Sequence, residues 1–235
     1  EIPTFAEHIK HKSENEWSIK IFNYLNKKPR PHRFWFYDML RFWGLLHRGV
    51  VSMNELKIEE EIQIDYNTLS LDGVREANAE LPIYAYETSN EIEPFNYYMY
   101  NFNKRAALDS YFSIVSETHY ADDQQTCFIS EKTFKAIANR QPFIILGNRN
   151  SLTHLKNLGY KTFDSIIDES YDELESIHRM NAIIQEIRNW EAREDKMSHF
   201  TWAESVVEHN FKILQFNSIF KPPAGFYKLE KLMIS

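Results

Sequence analysis

Residues 127–148 read CFISEKTFKAIANRQPFIILGN. The second half, QPFIILG, is a short apolar run closed by Gly147, the signature of a buried strand. The first half opens on a polar Ser-Glu-Lys triplet. Ser130 is a candidate N-cap, and the spacing predicts a helix over 130–140. A helix that runs directly into a short apolar strand is half of an α/β repeat. The other half lies just upstream: YFSIVSET (111–118) reads as a strand ending in polar residues, and HYADDQQTC (119–127) as a loop.

The same alternation recurs on both sides. WSIKIFNYLN (17–26) reads as a strand, KKPRPHR (27–33) as a turn, and a helix is expected from Pro31, with Phe36, Met39, Leu40, Trp43 and Leu46 at helical spacing. Gly49 is a plausible stop and VVSM (50–53) a second strand. Downstream, PFIILG (142–147) is the strand, NSLTHLKNLGY (150–160) a short helix closed by Gly159, KTF (161–163) a short strand and DESYD (168–172) a polar loop. A long helix follows over 172–192, with Ile177, Ile183, Ile184 and Ile187 on one side, and another over about 197–214. Residues 54–105 are less legible. Asp72-Gly73 marks a turn, LPIYAYET (81–88) is a candidate strand, and residues 90–106 read as an aromatic-rich connection. The tail from Pro222 reads as irregular. Strands alternating with helices predict an α/β fold, a Rossmann-like, mostly parallel sheet flanked by helices. The expected organisation is a lead-in segment over 1–16, a Rossmann-like domain over 17–192, and a C-terminal helix and tail over 193–235 packing on it.

Composition narrows the function classes. The chain has 235 residues, 43% hydrophobic and 15% aromatic, enough for a substantial core. A formal net charge of −7 argues against general binding to a phosphate backbone. One cysteine, Cys127, excludes an internal disulfide and a cysteine-rich zinc site. That fits a reducing, cytoplasmic compartment. No run reaches the roughly 20 apolar residues of a membrane helix. The nine histidines form no HExxH pattern, and neither GxGxxG nor a Walker loop is present. No metal and no cofactor is expected.

Ligands of open α/β sheets bind where strands end and helices begin. Three polar clusters fall at such places. NKKPRPHR (26–33) crowds Lys27, Lys28, Arg30, His32 and Arg33 at a helix start, where cations are electrostatically unfavourable unless an anion is bound. Glu117 closes the 111–118 strand and fits three roles: binding a ribose hydroxyl, capping a neighbouring helix, or pairing with a cation. Glu131 and Lys132 are successive residues in a helical first turn and point about 100° apart. Glu131 suits that end of the helix and Lys132 does not, unless an anion lies between them. Thr133 adds a hydroxyl. The carboxylates Asp168, Glu169 and Asp172 fit a metal, a sugar or, more simply, a helix start.

FSIVSET followed by FISEKTFKAIANRQPFIILGN resembles the donor-binding signature of family-10 fucosyltransferases, where a strand, a loop, a Thr-Glu-Lys helix start and a second strand follow in that order. The chain resembles still more closely a group of phage and marine environmental glycosyltransferase-like proteins that share RPHR (30–33), SEKT (130–133), PFII (142–145), a Leu-Gly-aromatic turn (158–163, with Tyr160) and DESYD (168–172). The resemblance covers about 17–190. It implies the C-terminal, nucleotide-sugar-binding half of a two-Rossmann (GT-B) glycosyltransferase. Glu131 would bind ribose hydroxyls, Glu117 would form a polar wall, and Lys132, Arg33 and Arg30 would hold the diphosphate. The implied partners are a nucleoside diphosphate sugar and an unidentified acceptor, with nucleic acid disfavoured and a homo-oligomer as a further candidate. In the resembled family an acceptor domain precedes the donor half and supplies the general base. The 16 residues ahead of the first expected strand cannot encode one, so a donor domain cut from a longer protein or a single-domain protein is expected. The motifs assign no catalytic base. The alternative reading is a non-catalytic nucleotide-binding or assembly module, with residues 94–103 and the C-terminal IFKPPAGFYKLEKL as partner surfaces.

Overall fold

The computed structural model of the chain describes residues 2–56, 71–85, 103–122 and 127–220. Four strands form one sheet: β1 (Lys20–Leu25), β2 (Gly49–Ser52), β3 (Ser110–Ser116) and β4 (Phe143–Leu146). Their spatial order is β2-β1-β3-β4, and every pairing is parallel. This is the Rossmann-like α/β architecture the alternation predicts. β3 and β4 are buried at every position, as parallel strands covered on both faces must be. Among the described residues no helix is long and apolar enough to cross a membrane.

The helices are α1 (Phe5–Glu14), α2 (Pro31–Phe42), α3 (Leu71–Ala79), α4 (Lys104–Leu108), α5 (Glu131–Ala138), α6 (Ser151–Asn157), α7 (Ser176–Ala192), α8 (Lys196–Trp202) and α9 (Glu204–Phe220). α2 starts with Pro31 at its first turn, where a missing N–H costs nothing. Ser130 caps α5 by accepting from Lys132 N. Gly159 closes α6 in the left-handed region at φ +90°, a conformation costly for any residue with a Cβ. The β1-to-β2 and β3-to-β4 crossovers run in opposite directions across the sheet, which by the right-handed rule for parallel crossovers puts α2 and α5 on opposite faces. α2 packs with α7, and α5 with α9.

Several local expectations are corrected. Residues 1–16 are no mere lead-in. α1 is held by a full Thr4–Glu7 capping box, Phe5 stacks on Phe200 at 5.0 Å, and His8 and Lys12 are fully buried. Asp72-Gly73 lies within α3 rather than in a turn; an aspartate near a helix start is favourable there. KTF (161–163) is not a strand, because side chains take its backbone groups: Asn210 clamps both Lys161 N and O, and Glu169 accepts from Phe163 N at 2.5 Å. The outer edge of β4 is met by Tyr171, whose hydroxyl accepts from Ile145 N at 3.1 Å. DESYD runs into a 3₁₀ turn, Glu169–Glu173. The helix expected over 197–214 is broken at Ala203 into α8 and α9; the break lets Phe200 reach Phe5 while Val207 and Leu214 join the core. Among the described residues of the LPIYAYET stretch, only Ile83 pairs, in an antiparallel bridge with Met53. Residues 86–102 and the tail from 221, including the partner surfaces expected there, lie outside the described residues.

Candidate functional site

Strand order reverses between β1 and β3, so the crevice of this sheet opens at their carboxyl ends. Leu25 leads from β1 into the basic turn and α2, and Ser116 leads from β3 into Glu117 and Thr118. α5 begins alongside them. The topology therefore brings the three polar clusters to one place, although they span residues 26–133 of the chain.

Arg33 is buried at 5% exposure against the end of β3. Its Nε donates to Ser116 Oγ at 3.2 Å, and its Nη2 to the carbonyls of Ser116 (3.2 Å) and Glu117 (3.1 Å). Its Nη1 donates to Lys28 O at 3.3 Å. These partners are neutral oxygens, and among the described residues no carboxylate makes an ion pair with Arg33. Burial lowers the guanidinium from its usual value and Arg30 adds to the lowering, while Tyr24 and the charges of Glu117 and Glu131, though not directly paired with it, counteract this. Arg30 is exposed, and its backbone caps α2 without a side-chain hydrogen bond. His32 donates from Nε2 to Glu117 O at 2.9 Å.

Glu117 and Thr133 take part differently. Both are fully buried. The Glu117 carboxylate accepts from Ser130 N (3.0 Å), from the Ser130 hydroxyl, and from Thr133 Oγ1 (2.7 Å). Of the three roles open to Glu117, this geometry is that of a helix cap: it ties the α5 N-terminus to the end of β3, and Thr133 is spent on the same knot. Lys132 extends toward the crevice, with Nζ 3.2 Å from Thr118 Oγ1, 3.0 Å from Ser130 Oγ and 3.2 Å from Glu131 Oε1. Burial pushes the Glu131 carboxyl up, but the adjacent Lys132 charge and hydrogen bond outweigh it and hold it below its usual value. Lys135, one turn on, is lowered by burial. Lys132 and Lys135 line a cleft of about 120 Å³ whose floor includes Asn23, Ser113 and Ser116. Asn23 and Ser113 are register partners in the two central strands, and Asn23 donates to the Ser110 and Ser113 hydroxyls at 2.8 and 2.9 Å.

The DESYD carboxylates lie outside the crevice and serve the fold. Asp168 caps its own turn through Ser170 N, Asp172 accepts from Leu152 and Thr153 N at the start of α6, and Glu169 accepts from Thr162 and Phe163. Burial raises both Glu169 and Asp172. Among the described residues no group of three or more His, Cys, Asp or Glu is placed to hold a metal ion. A larger hollow of about 790 Å³ lies away from the crevice, between Lys20, Gly49, Val51, Ile83, Tyr84 and Asp109. Its polar groups, among them His11, Lys104 and Arg105, gather at the amino-terminal ends of the strands, whereas ligands of such sheets bind at the carboxyl ends, so the smaller crevice is the stronger candidate.

One component has no sequence signal. Tyr120 stacks on His32 with ring centroids 5.4 Å apart and planes 8° from parallel. The Arg179 guanidinium lies 4.4 Å from the Tyr120 ring and pairs with Asp122 at 3.1 Å. Asp122 in turn accepts from Ser176 N at the start of α7. The segment after Thr118 is thus pinned between α2 and α7. No pattern in the sequence links His32, Tyr120 and Arg179, because only the sheet order brings them together. Comparison of the chain with protein-family models, curated proteins and solved structures found no significant match.

Proposed function

We propose that the crevice between β1 and β3 binds the diphosphate of a nucleoside diphosphate sugar, and that the chain is the donor-binding domain of a glycosyltransferase resembling the family-10 fucosyltransferases. The observation that carries this reading is Arg33: a buried cation at the topological switch point with hydrogen bonds to neutral oxygens and no ion-paired carboxylate among the described residues. Placing a guanidinium there is costly unless an anion offsets it. Lys132 adds a second cation near the same end of β3, where its Nζ lies 3.2 Å from Thr118 Oγ1. A group that leaves as a nucleoside diphosphate develops negative charge, and preorganised cations and helix dipoles stabilise such charge without a metal. Glu131, half-buried beside Lys132, is the acceptor for ribose hydroxyls in this reading. Glu117 and Thr133 support the wall from behind it.

Calorimetry against GDP, UDP and their common sugar conjugates tests the reading. Lys132→Met is the informative variant, since Lys132 is partly exposed while Arg33 also braces β3. Loss of a charge-assisted hydrogen bond of about 1.5–3 kcal/mol weakens binding roughly 10- to 100-fold. A folded wild-type protein that binds none of these ligands at millimolar concentration refutes it. The interaction-module alternative draws on exposed rings at the amino-terminal end of the sheet, where Trp17 is 101% and Phe42 78% exposed. Sedimentation of the wild type against a Trp17→Ser, Phe42→Ser variant tests that reading, which fails if the two sediment alike.

A further inference from the structure

Cations account for the phosphate side of the crevice, and they leave one neutral group beside them unexplained. His32 occupies the first turn of α2, next to Arg33. Its Nε2 faces the carbonyl of Glu117 at 2.9 Å. A carbonyl oxygen only accepts, so Nε2 must carry the proton and Nδ1 must present its lone pair. The ring is held in that orientation by its stack on Tyr120, which is itself locked by Arg179 and by a hydroxyl bond to Ser176 O. Nδ1 has no hydrogen-bond partner among the described residues, and it is not one of the buried side-chain atoms left unpaired. It therefore opens on solvent at the switch point.

The surroundings keep the imidazole neutral. Burial drives its pKa down to about 3; the Glu117 hydrogen bond opposes this, and Arg33, Arg30 and His119 reinforce it. A base held that low is a poor proton acceptor for an alcohol at neutral pH. It is, however, a permanent neutral hydrogen-bond acceptor beside two cations, Arg30 and Lys132, that only donate; the Glu131 carboxylate also accepts, but Lys132 already engages it at 3.2 Å. A phosphate offers those cations nothing but acceptors. A hydroxyl is the part of a nucleotide sugar that donates.

We propose that His32 Nδ1 accepts a hydrogen bond from a hydroxyl of the bound nucleoside diphosphate sugar, on its ribose or on its transferred sugar, and so makes His32 a specificity-determining residue of the crevice. The inference rests on the reading of the crevice as a diphosphate site. Its test is calorimetry of wild type and His32→Gln with inorganic pyrophosphate, with GDP and UDP, and with their sugar conjugates. Glutamine keeps an Nε2 donor for Glu117 O and removes the Nδ1 acceptor. Pyrophosphate, which has no hydroxyl, should bind both proteins equally. The hydroxylated ligand should bind the variant roughly 2- to 10-fold more weakly, the range of one neutral hydrogen bond. A loss already present with GDP or UDP assigns the hydroxyl to the ribose, and a loss confined to the conjugates assigns it to the sugar. Equal affinities for every ligand overturn the role of His32 and leave the diphosphate reading standing. A uniform loss that includes pyrophosphate also overturns it, since the effect is then on the shape of the crevice. Absence of any binding by the folded wild type overturns both.

Discussion

Replacing Glu117 with glutamine separates a supporting role from a ligand-contacting one. In the native protein the carboxylate is fully buried and accepts three hydrogen bonds, from Ser130 N, Ser130 Oγ and Thr133 Oγ1. Glutamine keeps one acceptor oxygen and turns an NH₂ toward the remaining donor. One charge-assisted bond is lost, worth about 1.5–3 kcal/mol, and so is the negative charge at the start of α5, worth about 0.3–1 kcal/mol. Because Ser130 can rotate its hydroxyl to accept, the net cost should fall near 2–3 kcal/mol. For a chain of this size that lowers Tm by roughly 5–10 °C. Urea unfolding followed by circular dichroism gives the free energy, with an unchanged m-value as the check that the denatured state is unaltered. Thr133→Val should cost less in the Glu117→Gln background than in the wild type, because the two side chains share one bond. A Glu117→Gln protein within about 0.5 kcal/mol of wild type, with full additivity to Thr133→Val, would refute the anchoring role and return Glu117 to the ligand.

Lys12 should make stability rise with pH. Burial holds it near 7 in the folded protein against a normal 10.5, so its contribution is fully present above 10.5 and is lost as pH falls toward 7. Unfolding at pH 7 and pH 9 should differ by about 2 kcal/mol from this group, and Lys12→Met should abolish that part of the slope. Gly49→Ala should destabilise by about 1–3 kcal/mol, because a Cβ there would sit 2.4 Å from Cε2 of the buried Phe22 ring; a urea midpoint within error of wild type would show that the ring yields freely.

The alternation of helices and strands was readable in the sequence because each strand is a short, largely apolar run, and that of β4 is closed by Gly147. PFIILG and YFSIVS bury both faces, so their runs are nearly continuous. Ser130 and Pro31 announce helix starts by local chemistry alone. KTF was misread, and the loop around DESYD was only partly legible, for the opposite reason. Their conformations are set by Asn210, and by Glu169 and Asp172 acting across the chain, as far as 49 residues away in the case of Asn210 and Lys161. α1 was undervalued because its buried face contains His8 and Lys12, polar residues that are buried only because Asn139, Ala107 and Leu108 supply carbonyls.

The sequence by itself determined the α/β class, the places where three polar clusters interrupt strand-to-helix junctions, and the identity of Arg33, Glu131 and Lys132 as charged groups at those junctions. These follow from periodicity and local capping, which act over a few residues. Only the tertiary structure decided that β1 and β3 are neighbours, that the clusters meet in one crevice, that Glu117 and Thr133 face inward, and that His32 keeps its Nδ1 lone pair open. These depend on strand order and on which side of a junction is buried, and no short-range signal in the chain encodes either.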